Sequence, residues 1–499
     1  MKSQRKIGAI LSYGNIISKN IINFLYTPFL LRLIGQSDYG LFQMTNSVIM
    51  ALSLLSLGFS SAYVKFYISL KVKEDHDGIK RLNGLYLILF LFMSIIAAII
   101  GSMMVVKASS LFGNALTLRE LEITKKLMII MIVNISLTFP SSVFDSNIIA
   151  NEKFVFQQAR QIIQTFLVPI ISIPLILNGT GVIAISLTQT FVTVLFLFLN
   201  IRYCVRKLNM KFDFLGLDFS LLKELAYFSL FVFLNQMVDL INNNAPNFVL
   251  GMFKGAAQVG TFAIAIQVKN MFFMLSTSLS SIFIPQVNNI VSTDNDSAKL
   301  TDLMIKLGRI QMTILLFILG GFIVIGDYFI NIWAGNANSY AYVLVIVMVF
   351  PSIIPLSQNI GIEIQRARNK HIFRSISYSI FALVNILLTM IGTIHFGILG
   401  ATFGYVVSIV FANGLLMNWY YLKKMKLDMK KYWSNTIILL VPFIFSIFFT
   451  FLIKKIIILD NLVKFISLGS IYVFFFLLVY WFFIANEFEK NIFTRKKNI

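Results

Sequence analysis

Apolar stretches of about 20 residues follow one another along nearly the whole chain, separated by short polar breaks. At about 1.5 Å per residue, that is the length a helix needs to cross a hydrocarbon core about 30 Å thick. Lipid offers the backbone no hydrogen-bond partner, so each crossing must be helical. The pattern predicts spans at about 9–33, 41–64, 83–106, 127–149, 161–178, 180–201, 225–250, 256–284, 310–334, 341–363, 375–395, 397–421, 434–453 and 465–485. No polar stretch between them is long enough for a soluble catalytic domain. The expected fold class is an all-α polytopic membrane protein with about 14 transmembrane helices.

The pattern also repeats. "KLNMK" (Lys207 to Lys211) returns 219 residues later as "KLDMK" (Lys426 to Lys430), each after a long apolar run. "GQSDYGLF" from Gly35 matches "GAAQVGTF" from Gly255 at both glycines and the phenylalanine, and "SLGFSS" from Ser56 lines up with "STSLSS" from Ser276. Gly181 pairs with Gly400 in the same way. Each half holds an even number of spans, so the copies run parallel, related by an axis along the membrane normal. This predicts a six-helix bundle over 1–215, a second over 216–430, and a helix pair with a cytoplasmic tail over 431–499.

Composition agrees with the pattern. Hydrophobic residues make up 58%, charged residues 13%, and mean hydropathy is +0.82, against roughly 25% charged in soluble chains. The net charge of +21 points to cytoplasmic loops beside anionic lipid rather than to nucleic acid. Of the 42 basic residues, 31 lie on the side of the N-terminus and 9 on the other, with Lys19 and Lys269 inside spans. That bias predicts both termini in the cytoplasm. "MKSQRKIGAILSYGN" continues apolar to Leu33 without a small-residue cleavage site, and so reads as a retained first helix.

Enzyme and metal chemistry find little support. The single Cys204 allows no internal disulfide or cysteine metal site. His76, His371 and His395 lack zinc spacing, and a Walker-type phosphate loop is missing. "DHD" (Asp75 to Asp77) and "DND" (Asp294 to Asp296) mimic a sugar-nucleotide motif but read as solvated loops. No cofactor and no metal are expected.

Ionisable side chains inside spans are costly and usually face a cavity or a partner. Those here are Lys19, Asp145, Asp239, Lys269, Asp327 and Glu363. Lys19 and Asp239 stand 220 apart, as do Asn15 and Asn235, and Asn23 and Asn243. Each triplet has i, i+4, i+8 spacing and lies on one helix face. The two stripes either line a cleft between the bundles or hold helices together. Lys19 is about 15 Å into its span, near mid-membrane. Lys65, Arg366, Arg368, Lys370 and Arg374 make a basic cytoplasmic mouth, which positive-inside bias also explains.

With twelve repeated spans plus two, "LIGQSDYGLF" after the first helix, "LGFSSAYVKF" closing the second and "ARNKHIFRS" between spans ten and eleven, the chain resembles a known family over essentially its full length. It looks like the polysaccharide flippases, of the O-antigen repeat-unit type, in the multidrug/oligosaccharidyl-lipid/polysaccharide exporter superfamily. The resemblance implies a V-shaped, non-enzymatic pair of bundles in a bacterial cytoplasmic membrane. Such a protein moves an undecaprenyl-pyrophosphate-linked oligosaccharide to the outer leaflet. It implies a monomer whose partners are that lipid-linked oligosaccharide, membrane lipids, and polysaccharide polymerase and chain-length machinery. On this reading Asn15, Lys19, Asn23, Asn235, Asp239, Asn243 and Lys269 line the substrate cleft. Lys65, Arg366, Arg368 and Lys370 would meet the pyrophosphate at the mouth. Two sister branches remain open, lipid II flippases and cation-coupled drug exporters; Asp239 with Asp327 would supply an exporter's acidic site. A membrane-embedded glycan polymerase or ligase is a further alternative, against which the largest outer segment, about Lys107 to Lys126, is small.

Overall fold

The computed structural model describes residues 2–56, 58–215, 220–457 and 459–494, among which there is no strand. By its internal contacts the chain divides into two compact units, Met1–Gly260 and Thr261–Ile499.

The first unit holds α1 (Lys2–Ser53), α2 (Phe59–Val72), α3 (His76–Val106), the short α4 (Ala108–Phe112), α5 (Leu118–Ala150), α6 (Phe154–Leu175), α7 (Ile183–Lys207) and α8 (Ser220–Phe253). Helix α5 is central and packs on α3, α7, α1 and α2, while α6 lies along α1. Thr117 caps α5 with a reciprocal Glu120 contact, which satisfies two orphan amides at once. The packing of α2, α3 and α5 is tied by polar groups as well as apolar ones. Tyr63 donates to Asn83 at 2.6 Å and accepts from Asn147 at 2.8 Å, with its ring edge-on to Tyr86.

The second unit holds most of α9 (Ala256–Ile282), then α10 (Ile284–Thr293), α11 (Ser297–Ala334), α12 (Ala341–Ser357), α13 (Asn359–Ala367), α14 (Ile372–Gly400), α15 (Phe403–Ser408), α16 (Asn418–Lys423), α17 (Met429–Thr436), α18 (Leu440–Lys454), α19 (Leu462–Val479) and α20 (Glu487–Thr494). Its central helix, α11, packs on α12, α17, α18 and α19. Tyr472 of α19 lies against α11 and donates to the Phe317 carbonyl at 2.9 Å. Helices α12 and α13 form one bent segment, turned by 40° at Gln358. Pro351 and Pro355 remove two amide donors just before the bend. The carbonyls near the break find side chains instead: Leu356 accepts from Ser276 and Ser357 from Tyr432.

Among the described residues eleven helices are long and apolar enough to cross a membrane, or twelve if the bent pair is one span. The expectation of about fourteen counts in addition a second crossing within Ile10–Val72 and one in α8. The packing boundary at 260/261 also differs from the repeat boundary at 215/216, because α8 lies against α1 and α2.

Left-handed turns echo the repeat in backbone form. Gly35 and Gly255, Glu74 and Asn295, Glu152 and Asn369, and Asn209 and Lys426 all have positive φ. At Glu152 and Asn369 the endings match bond for bond. Lys153 N donates to Ile148 O as Lys370 N does to Gln365 O, a 6→1 closure that satisfies the last carbonyls of a helix. Met210 N donates to Cys204 O as Leu427 N does to Tyr421 O. The turn after the sixth span therefore recurs 217 residues on, two fewer than the pentapeptide echo.

Candidate functional site

Helix α1 breaks at Gly35 (φ 80°, ψ 170°), a conformation that favours glycine because a Cβ would be strained there. The segment after the break carries the first copy of the repeated motif, and the start of α9 carries the second. The two copies touch. A Cβ added to Gly40 would lie 1.8 Å from the Ala256 carbonyl oxygen, and one added to Gly260 would lie 2.6 Å from the Gln36 carbonyl oxygen. Residues 36 and 256 are equivalent in the repeat, as are 40 and 260, so the contact is reciprocal, as at a two-fold axis. Gln36 also donates to the Ala257 carbonyl at 3.1 Å. Arg119 grips Asp38 through both carboxylate oxygens at 3.2 Å, and Ser37 bonds Glu120. Phe112 meets Phe248 edge-on at 5.6 Å. Sequence reading found the motif as an echo, but equal spacing does not say that two copies meet.

The polar stripe of α1 divides along its length. Asn15 donates to Gln158 at 3.1 Å and Gln161 at 2.6 Å, tying α1 to α6. One turn on, Lys19 is exposed and makes no ion pair among the described residues, and Asn23 is exposed. On α8, Asp239 is exposed and Asn243 donates back to its carbonyl at 2.9 Å; the Asn235 side chain lies outside the described residues. Lys19 and Asp239 are not ion-paired with each other.

Lys269 is 2% exposed, with its ammonium 4.4 Å from the centre of the Tyr405 ring and 5.7 Å from that of Phe273. A desolvated cation gains from such ring faces. Asp145 bonds buried Arg160 and accepts from Asn200 at 2.9 Å. Arg160 and Asn200 are partners that span-by-span reading missed. Asp327 pairs with Lys454 at 2.9 Å.

The basic mouth also divides. Arg368 donates to Asn295 Oδ1 (2.7 Å), the Met425 carbonyl (2.7 Å), the Asn295 carbonyl (2.9 Å) and Ser297 Oγ (3.1 Å). Partial burial lowers its pKa, and those acceptors replace the lost water. Lys370 donates to the Lys424 carbonyl at 3.1 Å. Arg366 is exposed and holds Glu363 at 2.8 Å, while exposed Lys65 has its ammonium 5.6 Å from the Phe66 ring centre. Arg368→Gln is therefore expected to lower the melting temperature in detergent, whereas Arg366→Gln leaves it unchanged. Equal melting for the two variants would show that the Arg368 bonds hold nothing.

This many-helix architecture is shared with membrane proteins of known structure. The structure is similar to the lipid II flippase MurJ in its inward closed conformation, with TM-score 0.72 and 16% identity, covering 96% of this chain and 99% of that one. It is also similar to an inward-facing multidrug resistance MATE family transporter of the MOP superfamily, with TM-score 0.64 and 15% identity, covering 81% and 94%. At those identities the likeness is one of fold. In sequence, the family described as "Polysaccharide biosynthesis protein" matches residues 29–343, and the chain belongs to it. A curated relative, the uncharacterized membrane protein EpsK of Bacillus subtilis (strain 168), is 21% identical over 399 residues, 78% of this chain and 77% of EpsK. The protein is thus a multi-pass member of the polysaccharide biosynthesis family, with the fold shared by the flippase and the transporter to which its structure is similar.

Proposed function

We propose that the protein carries an undecaprenyl-pyrophosphate-linked oligosaccharide repeat unit, of the O-antigen or capsule type, from the inner to the outer leaflet by alternating access. The two repeated bundles would move against each other, with both termini in the cytoplasm, no bound cofactor and a monomer as the working unit. The observation that carries this reading is Lys19, an exposed cation without an ion pair among the described residues, about halfway through an apolar span. An ammonium at that depth costs roughly 2.5–3.5 kcal/mol even on the lenient insertion scale, and an anionic headgroup in a wet cleft would offset it. Asn23 lies one turn along the same face. A drug exporter would need the opposite charge, and Asp327 is already engaged by Lys454. Polymerase and chain-length machinery would act on the delivered lipid.

Deleting the gene tests the substrate. Accumulation of the lipid-linked repeat unit on the cytoplasmic leaflet is the expected result, whereas accumulation of lipid II would make this a peptidoglycan flippase. Lys19→Ala is expected to lower glycan export roughly tenfold, the worth of one charge-assisted bond. Lys19→Arg should keep most of the export, at equal membrane abundance. Wild-type export by Lys19→Ala would remove the cation from the mechanism.

A further inference from the structure

Helices α3 and α5 enclose an apolar groove of about 670 Å³. Its walls are formed from one face of each helix: Leu91, Ala98 and Val106 on α3, Ile129, Val133 and Pro140 on α5. Leu91, Val106, Ile129 and Val133 are exposed. The floor is tight, because Ser94 donates to the Ser136 carbonyl at 2.7 Å and a Cβ on Gly101 would lie 2.6 Å from Ile132. Small residues thus bring the helices together below, while longer side chains stand apart above.

Two features distinguish this groove from ordinary lipid-facing surface. The first is length. From Leu91 to Val106 it runs roughly 22 Å along α3, longer than one leaflet of a core about 30 Å thick. The second is charge. Four of the nine basic residues on the sparsely charged side cluster at this end of the groove: Lys107 just after α3, and Arg119, Lys125 and Lys126 in the first turns of α5. Lys107 directly follows Val106. Lys125 precedes Ile129 and Val133 by one and two helical turns on the same face. Arg119 is taken by Asp38 and Lys126 by Glu122, but Lys107 and Lys125 make no ion pair among the described residues.

We infer that the α3–α5 groove binds the polyprenyl chain of a lipid-linked saccharide in the outer leaflet, with the phosphate at Lys107 and Lys125. This rests on the flippase reading and the orientation given with it, and assigns a receiving site for the delivered lipid. A chain longer than one leaflet fits the groove's length, and a phosphate head fits two cations where the positive-inside bias leaves few.

A photo-crosslinking residue placed at Val133 tests this in the full-length protein. The vesicles would contain phosphatidylglycerol, phosphatidylethanolamine and undecaprenyl pyrophosphate. The expected adduct, read by mass spectrometry, is the polyprenyl lipid, reduced roughly tenfold by Lys107→Gln with Lys125→Gln. Ala98→Phe, which fills the groove without touching the cations, should remove the same adduct. Phospholipid adducts alone, or polyprenyl adducts indifferent to both changes, would overturn the assignment. Transport measured in the same vesicles separates the two ideas. Normal transport without polyprenyl capture sinks the groove alone, and capture without transport sinks the flippase reading.

Discussion

Replacing Gly40 with leucine is expected to abolish export while the protein still inserts and folds. The position has no room for a side chain. Even the Cβ of alanine would stand 1.8 Å from the Ala256 carbonyl oxygen and 2.9 Å from the Gly260 amide nitrogen. Both neighbours are backbone, so rotamer changes cannot relieve the clash, and the two copies of the motif must separate. Overpacking of this kind costs about 1–3 kcal/mol or more. Were the two repeated bundles to move against each other as proposed, about 3 kcal/mol would shift a 99:1 preference for the arrangement that keeps this contact to near parity. Gly260→Leu should do the same, because its Cβ would meet the Gln36 carbonyl. Gly14→Ala, on the same helix with nothing within 4 Å of the new atom, is the control and should change nothing. A cysteine at Asn23 reports the opening through a membrane-impermeant thiol reagent added outside. The native Cys204 is buried and contributes little background. Faster labelling in both leucine variants, with export lost, is the expected result. Unchanged labelling with normal export would reduce the glycine contact to packing that the transport cycle never opens.

Much of the helical framework could be read from the sequence because apolar length is a local property. Among the described residues each predicted span falls mostly on helix, and the bend at Gln358 follows two prolines that the sequence displays. Contacts between distant residues could not be read in this way. Asn15 belonged to a stripe with Lys19 and Asn23, yet it bonds Gln158 and Gln161, more than 140 residues away. Periodicity identifies a face but not what the face meets. Arg368 looked like its neighbour Arg366 in a basic run, but four acceptors from two other loops surround it. The glycine motifs show a third limit. The repeat shows that Gly40 and Gly260 are equivalent, and only the fold brings them into contact.

The buried pair Arg309 and Glu489 is the interaction whose loss is expected to cost most stability. Arg309 is 6% and Glu489 2% exposed at the side chain. The guanidinium donates to both carboxylate oxygens, at 2.6 and 2.9 Å, to the Ile484 carbonyl at 3.0 Å and to the Asn435 carbonyl. It therefore joins α11 to the end of α17, to the turn after α19 and to α20. Glu489 is also the return half of a cap: its carboxylate accepts from the Asn486 amide at 3.0 Å while Asn486 accepts from the Glu489 amide at 2.8 Å. Arg309→Met would leave that carboxylate buried beside apolar groups and two carbonyls without donors. Breaking a buried pair from one side typically costs about 3–5 kcal/mol, whereas replacing both members with apolar residues is often nearly neutral. Arg309→Met should thus melt well below the wild type in detergent. Glu489→Met should fall at least as far, since it leaves the guanidinium behind and removes the cap. The double variant should recover much of the loss, short of the cap's contribution of about 1 kcal/mol. Additive losses in the double variant would mean that the two residues act separately, and that α20 is held to α11 by something other than this pair.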